Sequence, residues 1–86
     1  MPYSVIFSKR AERQLDGLSR DVQQRLVSRI ETLGNDPRPH GVVKMAGEEN
    51  AWRIRVGTYR ILYAIHDAAS EVVISTIAHR REAYRR

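Results

Sequence analysis

The 86-residue chain contains no cysteine, which excludes disulfides, thiol nucleophiles and cysteine-ligated metals. Lysine is nearly absent as well: Lys9 and Lys44 are the only two, and thirteen of the fifteen basic residues are arginine. The three histidines, His40, His66 and His79, fall at neither HxH nor HxxxH spacing, so no metal site and no cofactor are expected. His40 reads as a loop residue and His66 as a strand-end residue. There is no Gly-rich phosphate loop, no carboxylate pair at a recognisable catalytic spacing and no Ser-His-Asp arrangement. No apolar run is long enough to span a membrane. The opening MPYSVIFSKR has neither the apolar core nor the cleavage site of a secretory signal. A cytosolic protein with no membrane association is the resulting expectation.

What the chain does have is positive charge. Fifteen basic against ten acidic residues leave a net charge of +5. On so short a chain that implies a polyanionic partner. Arginine presents a rigid donor fork matched to phosphate and carboxylate, whereas lysine is a point charge, so the composition tilts toward phosphate or acidic-peptide recognition. With 42% apolar and 29% charged residues, the rest is ordinary globular composition, enough for one domain with one modest core.

The pattern along the chain predicts an α+β fold. YSVIF, residues 3–7, is rich in β-formers and reads as a strand. Ser8 can cap a helix running to about Leu18, with Ala11, Leu15 and Leu18 on one face. Ser19 restarts a helix in which Val22, Leu26, Ile30 and Leu33 recur at helical spacing, and Gly34-Asn35-Asp36-Pro37 stops it. A turn-rich connector, GNDPRPHG, precedes a short strand at about 42–45. Three more strands follow, near 51–56, 59–66 and 71–78. Their short connections predict antiparallel pairing. The expected architecture is an N-terminal strand and a two-helix hairpin packed on an antiparallel β-sheet, with a short basic C-terminal segment. The helices should cover one sheet face and leave the other partly open.

The segment AWRIRVGTYRILYAIHD holds the strongest functional signal. With Gly57-Thr58 as a two-residue turn, Val56 opposes Tyr59, Arg55 opposes Arg60, Ile54 opposes Ile61 and Trp52 opposes Tyr63. One face then carries Trp52, Ile54, Val56, Tyr59, Ile61, Tyr63 and Ile65, suited to a core. The other carries Arg53, Arg55 and Arg60. Directly opposed like charges cost roughly 0.2–1 kcal/mol per cross-strand pair, so the fold gains nothing from them. Either an anion binds there, or three solvated arginines merely cover an outer face and shield Leu62. The chain ends in IAHRREAYRR, which would bring His79, Arg80, Arg81, Tyr84 and Arg85 beside the hairpin. Strict alternation puts His79 on the arginine side and Arg80 on the other, unless the strand ends or bulges near Ala78.

An all-basic site suits RNA cleavage by the RNA's own 2′-hydroxyl. Arginines supply electrostatic stabilisation of the phosphorane but carry protons poorly, since their pKa exceeds about 12. His79, with a reference pKa of about 6.5, is the acid–base candidate. Tyr84 can orient the hydroxyl, stack on a base or share in proton transfer. Binding RNA without cutting it is the open alternative.

WRIRVGTYRILY followed by IAHRREAYR closely resembles the RelE-type toxins of prokaryotic toxin–antitoxin pairs. FSKRAERQLDGL and DPRPHGVVKMAG extend the likeness over the whole chain, as one RelE-like toxin domain spanning residues 1–86. The hairpin pattern is shared with the ParE branch of the superfamily, while HRREAYR favours RelE. The resemblance implies a metal-independent endonuclease that cuts messenger RNA in the ribosomal A site and inhibits translation, neutralised by a cognate acidic, RelB-like antitoxin in a hetero-oligomer. It assigns the site to Arg53, Arg55, Arg60, Arg80 and Tyr84, with His79 beside them. Lys44, Arg81 and Arg85 are expected to add RNA contacts. The best-known form of the motif has lysines at the positions of Arg53 and Arg55, so here these two read as phosphate clamps and the general base is open. Two other readings stand beside this one: a ParE-like inhibitor of DNA gyrase, and a non-catalytic homologue that binds only antitoxin or RNA.

Overall fold

A computed structural model describes residues 2–47 and 50–80. The elements, in chain order, are β1 (Ser4–Phe7), α1 (Lys9–Asp16), α2 (Arg20–Thr32), β2 (Val43–Lys44), β3 (Trp52–Val56), β4 (Tyr59–His66) and β5 (Glu71–His79). Both helices start where a serine can cap them. The Ser8 hydroxyl accepts from the Ala11 amide at 3.0 Å and the Ser19 hydroxyl from the Val22 amide at 3.4 Å, each satisfying an orphan donor of the first turn.

The five strands form one sheet in the order β1-β5-β4-β3-β2. The pairs β5–β4, β4–β3 and β3–β2 are antiparallel, as their short connections require, whereas β1 joins β5 in parallel, from Ser4↔Glu71 to Phe7↔Ile74. The sheet is therefore mixed. No short loop links β1 to β5, so turn length did not constrain their relative direction.

One face of the sheet meets the helices. Ala11, Leu26, Ile30 and Leu33 pack on Ile54, Ile61, Tyr63, Ile65, Val72, Ile74 and Ile77 in a single cluster. Each fully buried Leu or Ile contributes about 1.5–3 kcal/mol relative to exposure, and this cluster is what holds the hairpin flat against α2. Two polar side chains complete it. The Tyr63 hydroxyl donates to the Pro37 carbonyl at 2.7 Å, tying the connector to the sheet. Asn50 stands in for a strand residue ahead of β3: its amide donates to the Ile65 carbonyl at 2.8 Å and accepts from the Ile65 amide at 3.0 Å. No helix among the described residues is long and apolar enough to cross a membrane.

Candidate nucleic-acid interface

The β3–β4 register pairs Arg55 directly with Arg60, Arg53 with Leu62 and Val56 with Tyr59. Gly57 makes this possible, with φ at +60° while Thr58 stays at negative φ, the geometry of a type II′ hairpin turn. Arg53, Arg55 and Arg60 thus share the sheet face turned away from α2. They differ in exposure. Arg55 is exposed and Arg53 half-buried, but Arg60 is only 2% exposed. An arginine that merely covers an outer face keeps its head in water, and Arg60 does not.

On the other side of Arg60 lies β5, whose phase changes partway along. Leu62 pairs with Thr76 but Tyr63 pairs with Ile74, leaving Ser75 as an extra residue in a β-bulge. The Ser75 hydroxyl donates to the Leu62 carbonyl at 3.1 Å, and the Ser8 hydroxyl donates to the Ser75 carbonyl at 3.2 Å. Before the bulge the even residues Val72 and Ile74 face the core; after it Ile77 does. Ala78 consequently lies opposite Arg60, on the arginine face, and its small side chain leaves room there. His79 lies opposite Tyr59 instead, and the two rings meet edge to face at 5.3 Å. The expected sidedness of these residues is therefore reversed by the bulge. His79 belongs to the Tyr59 side, and Arg80, one residue on, lines a small cleft with Arg55 and Arg60. The Arg80 amide donates to the Thr58 carbonyl at 2.6 Å, extending the ladder to the hairpin turn.

Helix α1 supplies the opposite wall. Beyond Ile74, β5 has no strand neighbour on its β1 side, and α1 covers that edge: the Gln14 side-chain oxygen accepts from the Ile77 amide at 2.7 Å. Residues 10, 13, 14 and 17 form a helical stripe adjacent to the apolar Ala11–Leu15–Leu18 stripe. Arg10, Arg13 and Gln14 therefore border a groove of about 710 Å³, whose far side is Arg53, Arg60 and Leu62 and whose end is Tyr59 and His79. Among the described residues lining it there are four arginines and one histidine, and no carboxylate. Anions are the ligands such a lining favours.

Arg10 and Arg13 were not anticipated from the sequence. Their helical spacing was readable, but which helix stripe meets the open face depends on how α1 docks. Lys44, expected among the RNA contacts, is not brought to the groove. It pairs with Trp52, and its ammonium lies 5.8 Å from the indole centre, with Arg38 at 5.1 Å from the same ring. Alternation from Arg53, the partner of Val43, sends Lys44 to the Trp52 side. Arg81, Tyr84 and Arg85 lie outside the described residues. His40 and His66 are exposed, in the connector and at the end of β4. The described residues contain no cluster of three or more His, Asp or Glu placed to hold a metal.

Comparison with known proteins adds a family. The sequence profile of the ParE toxin of the type II toxin–antitoxin system parDE matches residues 5–84. The chain is 34% identical over 87 residues to toxin RelG of Mycobacterium tuberculosis, covering 100% of both chains. Among solved structures it resembles the toxin–antitoxin complex RelBE2 of M. tuberculosis, at a TM-score of 0.81 and 31% identity over 93% of this chain and 100% of that one. It also resembles the archaeal RelE–RelB complex of Pyrococcus horikoshii, at a TM-score of 0.82 and 25% identity over 93% of this chain and 97% of that one.

Proposed function

The chain belongs to the RelE/ParE superfamily of type II toxin–antitoxin toxins as a RelE-type member, and from that premise we propose that it is a ribosome-dependent, metal-independent messenger-RNA endonuclease acting in the A site. The observation that carries this reading is the groove between α1 and the arginine face, with its four guanidiniums, its imidazole and no carboxylate among the described lining residues.

The proposed reaction uses the RNA's own nucleophile. The 2′-oxygen attacks the adjacent phosphorus, the P–O5′ bond breaks, and the products are a 2′,3′-cyclic phosphate and a free 5′-hydroxyl. One proton leaves the 2′-hydroxyl and one arrives at O5′. Arg53, Arg55 and Arg60 hold the scissile phosphate and stabilise charge developing on its oxygens, usually the largest catalytic term. They are not proton carriers, because guanidinium stays protonated at any working pH. His79, at the end of the groove, is the group whose imidazole can both take up and release a proton. Arg80 approaches the same phosphate from the hairpin turn, and Tyr84 takes the orienting role implied by the family motif. Arg81 and Arg85 add backbone contacts to the message.

A partner follows from charge and from the relatives. The M. tuberculosis and P. horikoshii relatives are known in toxin–antitoxin complexes. A RelB-like antitoxin with an acidic segment would neutralise the arginine face of this chain in the same kind of hetero-oligomer.

The test is a message carrying a single 2′-deoxynucleotide at one A-site codon. Ribosomes stalled at that codon should yield no new RNA end, while the all-ribose message is cut there; equal cutting of both would end the 2′-hydroxyl mechanism. The match to a ParE profile supports one other reading, a gyrase inhibitor. Loss of gyrase supercoiling on adding the protein, with messages left intact, would favour it.

A further inference from the structure

The cationic groups of the open face are not confined to the hairpin. They form a line that crosses the sheet at right angles to its strands. It starts with Arg10 and Arg13 on α1, passes over β5 where the side chains are the small Thr76 and Ala78, reaches Arg60 on β4, and ends at Arg53 and Arg55 on β3. A second, shallower hollow of about 190 Å³ continues past β3 between Arg53, Arg55, Gly41 and Val43. Neighbouring strands lie about 4.8 Å apart, so the line from β5 to β3 alone spans roughly 10 Å, and α1 lengthens it further. That exceeds what one phosphate can occupy. The two walls are also fixed relative to each other, because the Gln14–Ile77 hydrogen bond ties α1 to β5.

Resting on the nuclease reading above, we propose that Arg10 and Arg13 form a separate phosphate-binding subsite, which grips the backbone of single-stranded RNA at a nucleotide flanking the scissile one. The message then runs across the strands, from α1 to β3, and not along them. Backbone phosphate is favoured over an acidic peptide because arginines stand on both walls, with only the small Thr76 and Ala78 of β5 between them, so that successive phosphates of one strand can meet both sets of guanidiniums. Arg10 and Arg13 act here as positioning residues: they hold the strand but do not touch the reacting atoms.

The experiment uses the full chain and an uncleavable single-stranded probe, a 2′-O-methyl oligouridylate, with affinity measured by fluorescence anisotropy over a range of salt concentrations. Each lost phosphate contact lowers the slope of log affinity against log salt by about 0.7 on a single strand. The double variant Arg10→Ala/Arg13→Ala should therefore lose about 1.4 from the slope. Arg10→Lys/Arg13→Lys should keep it, and Arg20→Ala, an exposed charge on α2 away from the groove, should not move it. In ribosome-dependent cleavage the double alanine variant should raise the half-saturating concentration while leaving the maximal rate near wild type. An unchanged slope in a variant with wild-type circular dichroism overturns the subsite. So does a variant that loses binding to an acidic peptide while keeping its RNA slope. Failure of the wild-type chain to bind the probe, with messages still cut on ribosomes, overturns the subsite alone, whereas failure to cut any message on ribosomes overturns the nuclease reading itself.

Discussion

Ser75 donates its hydroxyl to the Leu62 carbonyl at 3.1 Å, and the bulge this bond closes decides that His79 faces Tyr59 while Arg80 joins Arg55 and Arg60. The site's composition thus depends on one extra residue in β5. Ser75→Ala should cost about 1 kcal/mol, the usual net value of one hydrogen bond, and lower the thermal midpoint accordingly. A midpoint equal to wild type would show that the Ser8 contact alone holds the bulge.

Arg55 and Arg60 oppose each other across β3 and β4, and like charges directly opposite on a sheet repel. Arg55→Ala should raise the unfolding free energy by a few tenths of a kcal/mol at low salt, with the gain shrinking as salt screens the pair. The same variant should lose message cleavage. Chemical denaturation at two ionic strengths, read beside a cleavage assay, checks both halves. A stability loss that is insensitive to salt would mean the pair does not repel.

Tyr63 makes stability fall at high pH. Burial pushes its phenol up to about 12, against an ordinary value of 10.0. A group whose pKa is raised in the folded state contributes its full stability below the unfolded value, so nothing is lost below about pH 10. Between about 10 and 12 the unfolded chain ionises first, and the fold loses on the order of 2–3 kcal/mol. Tyr3, raised by its hydrogen bond to Asp67, works in the same direction. Tyr63→Phe should remove most of this alkaline slope. It should also cost about 1–3 kcal/mol at neutral pH, because the Pro37 carbonyl loses its donor. An alkaline slope that survives the substitution would contradict the assignment.

Asp67 acts at the other end of the pH scale. Its hydrogen bonds from Arg38 and Tyr3 hold the carboxyl below the usual carboxylate range. The contribution is therefore present above the unfolded carboxylate pKa and lost as pH falls through the folded one. Asp67→Asn should flatten the acid limb of the stability curve and leave the alkaline limb shaped by Tyr63. An acid limb identical in both proteins would assign the acid sensitivity elsewhere.

The parts of the fold that were legible in the sequence are those encoded locally. Ser8 and Ser19 announce the helices because a cap is a contact between residues three apart. Gly57-Thr58 fixes the pairing of Trp52 through Tyr63 because a two-residue turn leaves a single register. The parts that were not legible depend on distant contacts. The parallel pairing of β1 with β5 joins opposite ends of the chain, with no turn to declare its direction. The bulge at Ser75 sits in EVVISTIAH, which lacks the glycine that often marks one, and it is held partly from β1's far end through Ser8. Arg10 and Arg13 follow the helical period plainly, yet their place beside the groove depends on Gln14 docking α1 against β5. The side of the sheet that Lys44 takes is not legible, because two-residue β2 is too short for its alternation to be read without knowing its partner.

The most direct test of the account is a reconstituted translation reaction on one defined message, with new RNA ends mapped in the presence and absence of ribosomes, for the wild-type chain and Arg80→Ala. The account predicts ends at A-site codons that appear only with ribosomes and disappear, or nearly so, in the variant. A message left intact on wild-type-treated ribosomes would contradict it.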